Sequence, residues 1–277
     1  MNDLAVGNLI ELAASISAMS RNASRLFLPF SQMNKLYLEE KFGGNANSFS
    51  QFIEWANLRY SDDEYSRIQR SHLSKESLLY IKKLNYTSPE HKYIDFPFWA
   101  NSKFNVARRL GLHNKAGSRI LDIGAGPGHF GVVAKFMGCD YLGLEVPLIS
   151  WIPGVERHLF AVLCHFFDVK RITFALRPTK RLELDSRFNF VTCQMGTFPY
   201  VPSDEKTRSA RVWSWEDWAF LLSDLIENCL TDDFQMYFQI SRSYMPPEVW
   251  SEISRRAIAS DEKNVTFQFD RSLVDRL

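Results

Sequence analysis

Three observations predict a doubly wound α/β domain with a mostly parallel sheet, preceded by a helical N-terminal cap. Apolar strand-like runs alternate with helical stretches from Ser118 onward, a glycine-rich turn closes the first run, and the residues before position 90 read as helices. These observations set two units, a helical cap or lid over residues 1–90 and an α/β domain over 91–277.

The elements follow in order. Residues 4–19 are apolar but carry Asn8 and Glu11, and they follow an acidic Met1-Asn2-Asp3 start, the wrong sign for the basic lead of a signal peptide. Leu4, Ile10, Leu12, Ile16 and Met19 fall along one helical stripe, so this segment reads as an amphipathic helix and the expected address is cytoplasmic. Apolar residues return at three- and four-residue spacings over 52–58 and again through Leu78, Leu79, Ile81 and Leu84. Gly43-Gly44-Asn45 interrupts the pattern and Ser88-Pro89 closes it. A further helix runs over 99–110 and stops at Gly111, in C-cap position. Strands are then expected over 119–123, 141–145, 171–175, 188–193 and 234–240, with helices over 128–137, 155–167 and 215–229. Right-handed crossovers between parallel strands put a ligand at the strands' carboxyl ends.

Composition narrows the chemistry. The 33 Lys+Arg and 32 Asp+Glu leave a net charge of +1, which argues against a nucleic-acid-coating protein, and no lysine/arginine stripe offers a nucleic-acid path. With 45% hydrophobic residues the chain builds a core and is not disordered. Cys139, Cys164, Cys193 and Cys229 stand far apart, so they read as buried thiols and not as a disulfide frame or zinc site. The six histidines form no close metal-binding pair, and no metal is expected.

The most informative stretch is Arg119-Ile-Leu-Asp-Ile-Gly-Ala-Gly-Pro-Gly-His-Phe130. A strand ends at Asp122, and Gly124, Ala125, Gly126 and Gly128 make a GxGxG turn into a helix. Glycine permits positive φ and close ligand approach, and the new helix offers unpaired N–H groups. Phosphate-binding dinucleotide turns are spaced GxGxxG instead, and a carboxylate at Asp122 repels a pyrophosphate while accepting a cation. The second strand ends at Glu145, placed to accept both hydroxyls of a ribose. An adenosine ligand with a positive, non-phosphate tail is called for, and S-adenosylmethionine (SAM) has one.

The stretch from Arg119 to Glu145 resembles motif I and the acidic second strand of class I SAM-dependent methyltransferases. The likeness extends over about residues 93–240: Phe188-Asn-Phe-Val-Thr-Cys193 resembles the family's fourth strand, and residues 213–225 resemble the helix before strand five. The arrangement is similar to small-molecule and sugar methyltransferases of bacterial polysaccharide and natural-product gene clusters. The resemblance implies SAM as cofactor, with Asp122, Gly124, Gly126 and Gly128 at its methionine end and Glu145 at its ribose. There are departures. Phe174-Ala175-Leu176-Arg177 replaces the polar residue near the adenine, so apolar packing by Leu176 and backbone contacts are expected there. Asn189 replaces an aspartate, and Gln194-Met195-Gly196-Thr197-Phe198 is not the motif of base methylation. With only the run 265–269 left after strand five, the antiparallel hairpin that closes such sheets is expected to be shortened or absent.

The catalytic candidates are His129, as a general base, and Gln194, as an orienting group that also reaches the cofactor's methionine part. Their structural alternatives are a solvent-facing first-turn histidine and a glutamine bonded within its loop. His158 and His165 read as partly buried helix residues. Trp213 and Trp215 are open between an acceptor floor and core, while Ser214 and Asp217 suggest a capping box that leads Trp218 into the core. Arg208 and Arg211 read as loop residues, or as ligands of an anionic acceptor.

The expected activity is methyl transfer from SAM to a small molecule, with O-methylation of a sugar or related metabolite first. Non-catalytic SAM binding is the first alternative, and a dinucleotide-dependent oxidoreductase the second. The expected partner is the small-molecule acceptor, without nucleic acid or membrane, and the N-terminal helices serve as a lid or as a homodimer surface.

Overall fold

Local signals bound the helices that lead into the sheet. In the computed structural model, which describes residues 28–43, 47–72, 91–146, 158–196, 199–201 and 211–277, α1 (Phe30–Phe42) ends where Gly43 turns left-handed at φ 60°. α2 (Ser48–Arg59) is capped by Asn47, whose side chain accepts the N–H groups of Phe49 and Ser50 at 2.9 Å. α3 (Asp62–His72) places Asp62, Asp63 and Glu64 at its positive end. α4 (Phe96–Arg109) begins with a proline in its first turn and ends before Gly111, whose φ is 70°. The helices expected over 4–19 and 78–84 lie outside the described residues.

The sheet follows: β1 (Arg119–Ile123), β2 (Asp140–Glu145), β3 (Arg171–Thr173), β4 (Phe188–Gly196), a separate two-strand ribbon of β5 (Tyr200–Val201) and β6 (Arg211–Val212), then β7 (Leu230–Ile240), β8 (Ala259–Asp261) and β9 (Thr266–Asp270). Its order is β3-β2-β1-β4-β7-β9-β8. The first five are mutually parallel, and β9 runs antiparallel to β7 and β8. The chain has the doubly wound, mostly parallel architecture expected from its sequence. The closing hairpin is present, with β8 reduced to three residues. Ala259-Ser260-Asp261 is exposed and carries no apolar alternation, which is why the sequence did not show it. β7 likewise begins at Leu230, ahead of the polar Thr231-Asp232-Asp233 that masks its start.

Between the strands run α5 (His129–Phe136), α6 (His158–Phe166), α7 (Trp215–Asp224) and α8 (Pro247–Arg256). Strand alternation sorts the core into two layers. Leu121, Ile123, Leu144, Val191 and Cys193 face a layer with Trp218, Leu221 and Leu222 of α7 and Ile253 of α8. Ile120, Tyr141 and Phe190 face the other layer, which α4, α5 and α6 share with the N-terminal helices. That layer is aromatic: Phe30 lies 4.9 Å from both Tyr65 and Phe96, and Phe52 lies 5.4 Å from Phe136. Hydroxyls of Tyr60 and Tyr65 fasten it by donating to the carbonyls of Phe167 and Ile94. Residues 30–43 and 47–68 are therefore built into the same core as the sheet face that they cover.

Candidate functional site at the strand ends

The glycine turn lies at the carboxyl ends of β1 and β2 and is fastened to β2. The N–H groups of Gly124 and Ala125 donate to the Leu144 carbonyl at 2.8 and 3.0 Å. Gly124, Gly126 and Gly128 have φ of 74°, 54° and 83°, where a side chain adds strain. Close approach is the role of Gly143, because a Cβ there would stand 2.6 Å from the Cβ of Ala125. A Cβ on Gly124, by contrast, would meet no atom of the described residues within 4 Å. Gly124 is exposed, and the space beyond it is open among the described residues.

Glu145 closes on the turn from β2. Its carboxylate accepts the Gly126 N–H at 2.6 Å and the Val146 N–H at 3.0 Å. From behind, the Cys164 thiol donates to the Gly126 carbonyl at 3.5 Å. Burial pushes that thiol up to about 11, so it stays protonated. All four cysteines are buried free thiols.

Asp122 is 3% exposed and points into the aromatic layer. The hydroxyls of Tyr141 and Thr192 donate to its two oxygens at 2.8 and 2.7 Å. Burial raises it to about 6, against the opposing pull of Lys103 and of both hydroxyls. The carboxylate is thus held by the protein just beneath the turn. Lys103, on α4, is pulled down by its own burial and held up by Asp122.

His129 opens α5 but does not face solvent; it is 2% exposed. Its ring lies 5.7 Å from Phe96 and Phe167 and 6.4 Å from Tyr93. One ring nitrogen donates to the Tyr93 carbonyl, and Nε2 has no partner among the described residues. This makes Nδ1 the donor and leaves Nε2 as an acceptor with a lone pair. Burial first, then the Lys103 charge, lowers the imidazole to about 3, so it is neutral near pH 7.

Gln194, at the far end of β4, is 8% exposed and lies on the same face as Asp122 and Thr192. Its Nε2 donor has no partner among the described residues. Buried polar atoms of this kind are rare in finished cores.

The structure therefore gathers Asp122, the turn residues 124–128, Glu145, His129 and Gln194 on one face. It does not bring Leu176 there. Leu176 packs with Leu144 and Leu182 in the opposite layer. Other candidates become structural. Trp213 and Trp218 are buried 5.8 Å apart in the second core, so Trp213 floors no open pocket. Trp215 lies under the Arg256 guanidinium at 4.1 Å. The capping box of Ser214 and Asp217 is formed, and Arg211 pairs with Asp217, holding that carboxyl low. Asn189 ties β4 to its neighbours, accepting the Arg119 N–H at 2.9 Å and donating to Thr231. His165 is exposed on α6. Arg208 and the His158 side chain lie outside the described residues.

Sequence reasoning missed Tyr141, Thr192, Tyr93, Phe160 and Lys103. Tyr141 and Thr192 had a usable signal: they stand at even spacing from Glu145 and Gln194, so strand alternation puts each pair on one face. The other three reach the site from helical segments, and no spacing announces them. Among the described residues no helix is long and apolar enough to cross a membrane, and no cluster of His, Cys, Asp and Glu is arranged to hold a metal ion.

No family model and no curated protein matches the chain. Several solved structures are similar. One is the SAM-bound CalS10, an amino pentose methyltransferase of Micromonospora echinaspora, at 16% identity over 52% of this chain and 51% of that one, TM-score 0.34. DesVI of Streptomyces venezuelae matches at 15% over 61% and 57%, TM-score 0.37. The glycopeptide N-methyltransferase MtfA matches at 16% over 51% and 55%, TM-score 0.33. The match spans about half to three fifths of the length of these chains.

Proposed function

We propose that the protein binds SAM at the glycine turn and transfers its methyl group to a small molecule, by O-methylation of a sugar or related metabolite. One observation carries the reading: the Glu145 carboxylate is hydrogen-bonded to the Gly126 N–H, with the space beyond Gly124 open among the described residues. The residues fit SAM in chemistry as well. Glu145 accepts ribose hydroxyls, because each carboxylate oxygen takes more than one hydrogen bond. The Glu145 carboxylate beside the turn disfavours a pyrophosphate, while Asp122, bonded to two hydroxyls and facing Lys103, supports the turn from beneath. Gly124, Ala125, Gly126 and Gly128 let the ligand approach the backbone.

When bound, SAM supplies a methyl group activated by its sulfonium for in-line displacement. The chain's own part is to position the acceptor and exclude water. Among the described residues Gln194 has a donor and His129 an acceptor without a partner. A hydroxyl can donate to such a nitrogen or accept from such an amide, which is the reason to place O-methylation first. An imidazole near 3 is a weak base toward a neutral hydroxyl, so His129 orients the hydroxyl and takes its proton only as the forming O–CH3 bond makes the oxygen strongly acidic. In this reading the enzyme is cytoplasmic, uses no metal, and has neither nucleic acid nor membrane as partner. The N-terminal helices act as the lid, with a homodimer surface as the other use.

Titration calorimetry with SAM, S-adenosylhomocysteine and NADH tests the donor. Binding of the two adenosyl ligands and not NADH is expected, and the reverse would revive the oxidoreductase alternative. Glu145→Ala and Gly126→Val are each expected to weaken SAM by about tenfold or more, roughly 1.4 kcal/mol. Unchanged affinity in either folded variant places the ligand elsewhere. A second reading, SAM binding without catalysis, is favoured by the low basicity and enclosed ring of His129. Methyl-labelled SAM with a panel of sugar and metabolite alcohols separates the two.

A further inference from the structure

Three side chains at the site keep an atom without a hydrogen-bond partner among the described residues, and they differ in kind. His129, 2% exposed, offers an acceptor, and Gln194, 8% exposed, offers a donor. The third is Lys103. It lies on the inward stripe of α4, one turn past Ala100 and one turn before Ala107, both fully buried. Phe96, at the head of the same stripe, meets the His129 ring edge-to-face at 5.7 Å. The charge of Lys103 reaches both Asp122 and His129. Its ammonium nevertheless forms no hydrogen bond or ion pair among the described residues. Asp122 is the acid it faces, and each oxygen of that carboxylate already accepts a hydroxyl. A lysine is seldom drawn into a protein unpaired, because its three donors lose water there.

We propose that Lys103 and Gln194 form a carboxylate subsite beside His129, and that the acceptor is a hydroxy acid. Its carboxylate meets the ammonium and the amide, and its hydroxyl meets the imidazole. The proposal rests on the reading above, in which His129 orients the hydroxyl to be methylated. A cation, a donor and an acceptor together call for an anion near a hydroxyl, which a neutral sugar does not supply. The anion is a carboxylate and not a phosphate, because Asp122 and Glu145 stand on the same face and repel a double charge more than a single one. The subsite acts on binding alone. Transfer makes the C–O bond at the hydroxyl, breaks the S–CH3 bond, passes the hydroxyl proton to His129 and leaves the carboxylate unchanged.

The test offers methyl-labelled SAM with matched acceptors: glucuronate against glucose, gluconate against sorbitol, and 3-hydroxybutyrate against 1,3-butanediol. The acids are expected to exceed their neutral partners in kcat/KM by about tenfold or more. In Lys103→Met that ratio is expected to fall toward one through the KM of the acid, while Lys103→Arg retains it. SAM affinity, read by calorimetry, is expected to change by less than about twofold in Lys103→Met. Neutral partners that serve as well as the acids, or an acid preference that survives Lys103→Met, overturn the proposal. So does a loss of SAM affinity of about tenfold in that variant with 5′-methylthioadenosine, which lacks the amino-acid end, bound as before; the carboxylate held is then the donor's own. Should none of the acceptors be methylated, calorimetry on protein loaded with S-adenosylhomocysteine is read instead. Tighter binding of the acids is expected there, and no preference overturns the subsite. Lys103→Gln replaces Lys103→Met should the latter fail to fold. If the unaltered protein binds neither SAM nor S-adenosylhomocysteine, the SAM reading itself has failed, which is a different result.

Discussion

The two faces of the sheet are built from different materials. The face covered by α7 and α8 packs leucines, valines, five phenylalanines and two tryptophans against Leu121, Ile123, Leu144 and Val191, with no tyrosine in its core. The opposite face, under α4, α5, α6 and the N-terminal helices, is rich in phenylalanine and tyrosine and also holds Asp122, His129, Glu145, Thr192 and Gln194. A buried polar group costs free energy unless it is bonded; Asp217, Asp224 and Arg256, buried beside the apolar layer, are each bonded, and the second face is less completely satisfied. Asp122 has its penalty reduced by two hydroxyls; His129 and Gln194 each keep an atom without a partner among the described residues. The second face keeps polar atoms without partners among the described residues, at some cost in stability.

The largest effect that would break this contrast is on the apolar face. Trp218 is completely buried, so Trp218→Ala is expected to cost about 3–5 kcal/mol in chemical denaturation. A loss under about 1 kcal/mol would mean that this layer is not what holds the sheet. Gly143→Ala comes next: its methyl would crowd Ala125 at 2.6 Å and push the turn off β2, at about 1–3 kcal/mol. Unlike the tryptophan change, it should also weaken SAM. Normal stability together with normal SAM affinity in that variant would deny the close approach of turn and strand.

The polar face should also show in the pH dependence of the ligand-free protein. Asp122 is raised to about 6 when folded, so the native state holds a proton that the unfolded chain has released; its contribution falls as pH rises from about 4 to 6. His129 is lowered to about 3, so the unfolded chain binds a proton that the native state refuses; its contribution rises as pH rises from about 3 to 6.5. Between pH 4 and 6 the two oppose each other. Relative to the unaltered protein, Asp122→Asn should gain stability with rising pH and His129→Phe should lose it. Each slope is at most about 1.4 kcal/mol per pH unit. Parallel profiles for all three proteins would show that these groups titrate as they do in the unfolded chain. The smallest effect is at the apolar face's edge, where Ser214→Ala removes one half of the capping box at about 1 kcal/mol, read as a small fall in Tm with SAM affinity unchanged.

Much of the turn was legible because its demands are local. Positive φ at Gly124, Gly126 and Gly128 is a property of three residues and their neighbours, and strand alternation gives the face of Glu145 without knowledge of the fold. Leu176 shows the limit. It follows a three-residue strand, and nothing local says on which side of the sheet the chain then settles; it settled in the apolar layer. The closing hairpin shows another, since an exposed strand such as β8 needs only a partner's backbone and carries no apolar signature.

The sequence by itself determined the alternation of strands and helices, the GxGxG turn, the acid at the end of the second strand and the capping box of α7, because each follows from backbone geometry or from spacing along one element. Only the tertiary structure decided that His129 is buried and neutral, that Tyr141 and Thr192 hold Asp122, and that the rim of the Phe160 ring packs beside Gly126. These depend on segments far apart in the chain meeting in one dry volume. Burial and electrostatic environment are set by that meeting and not by any residue's neighbours in sequence.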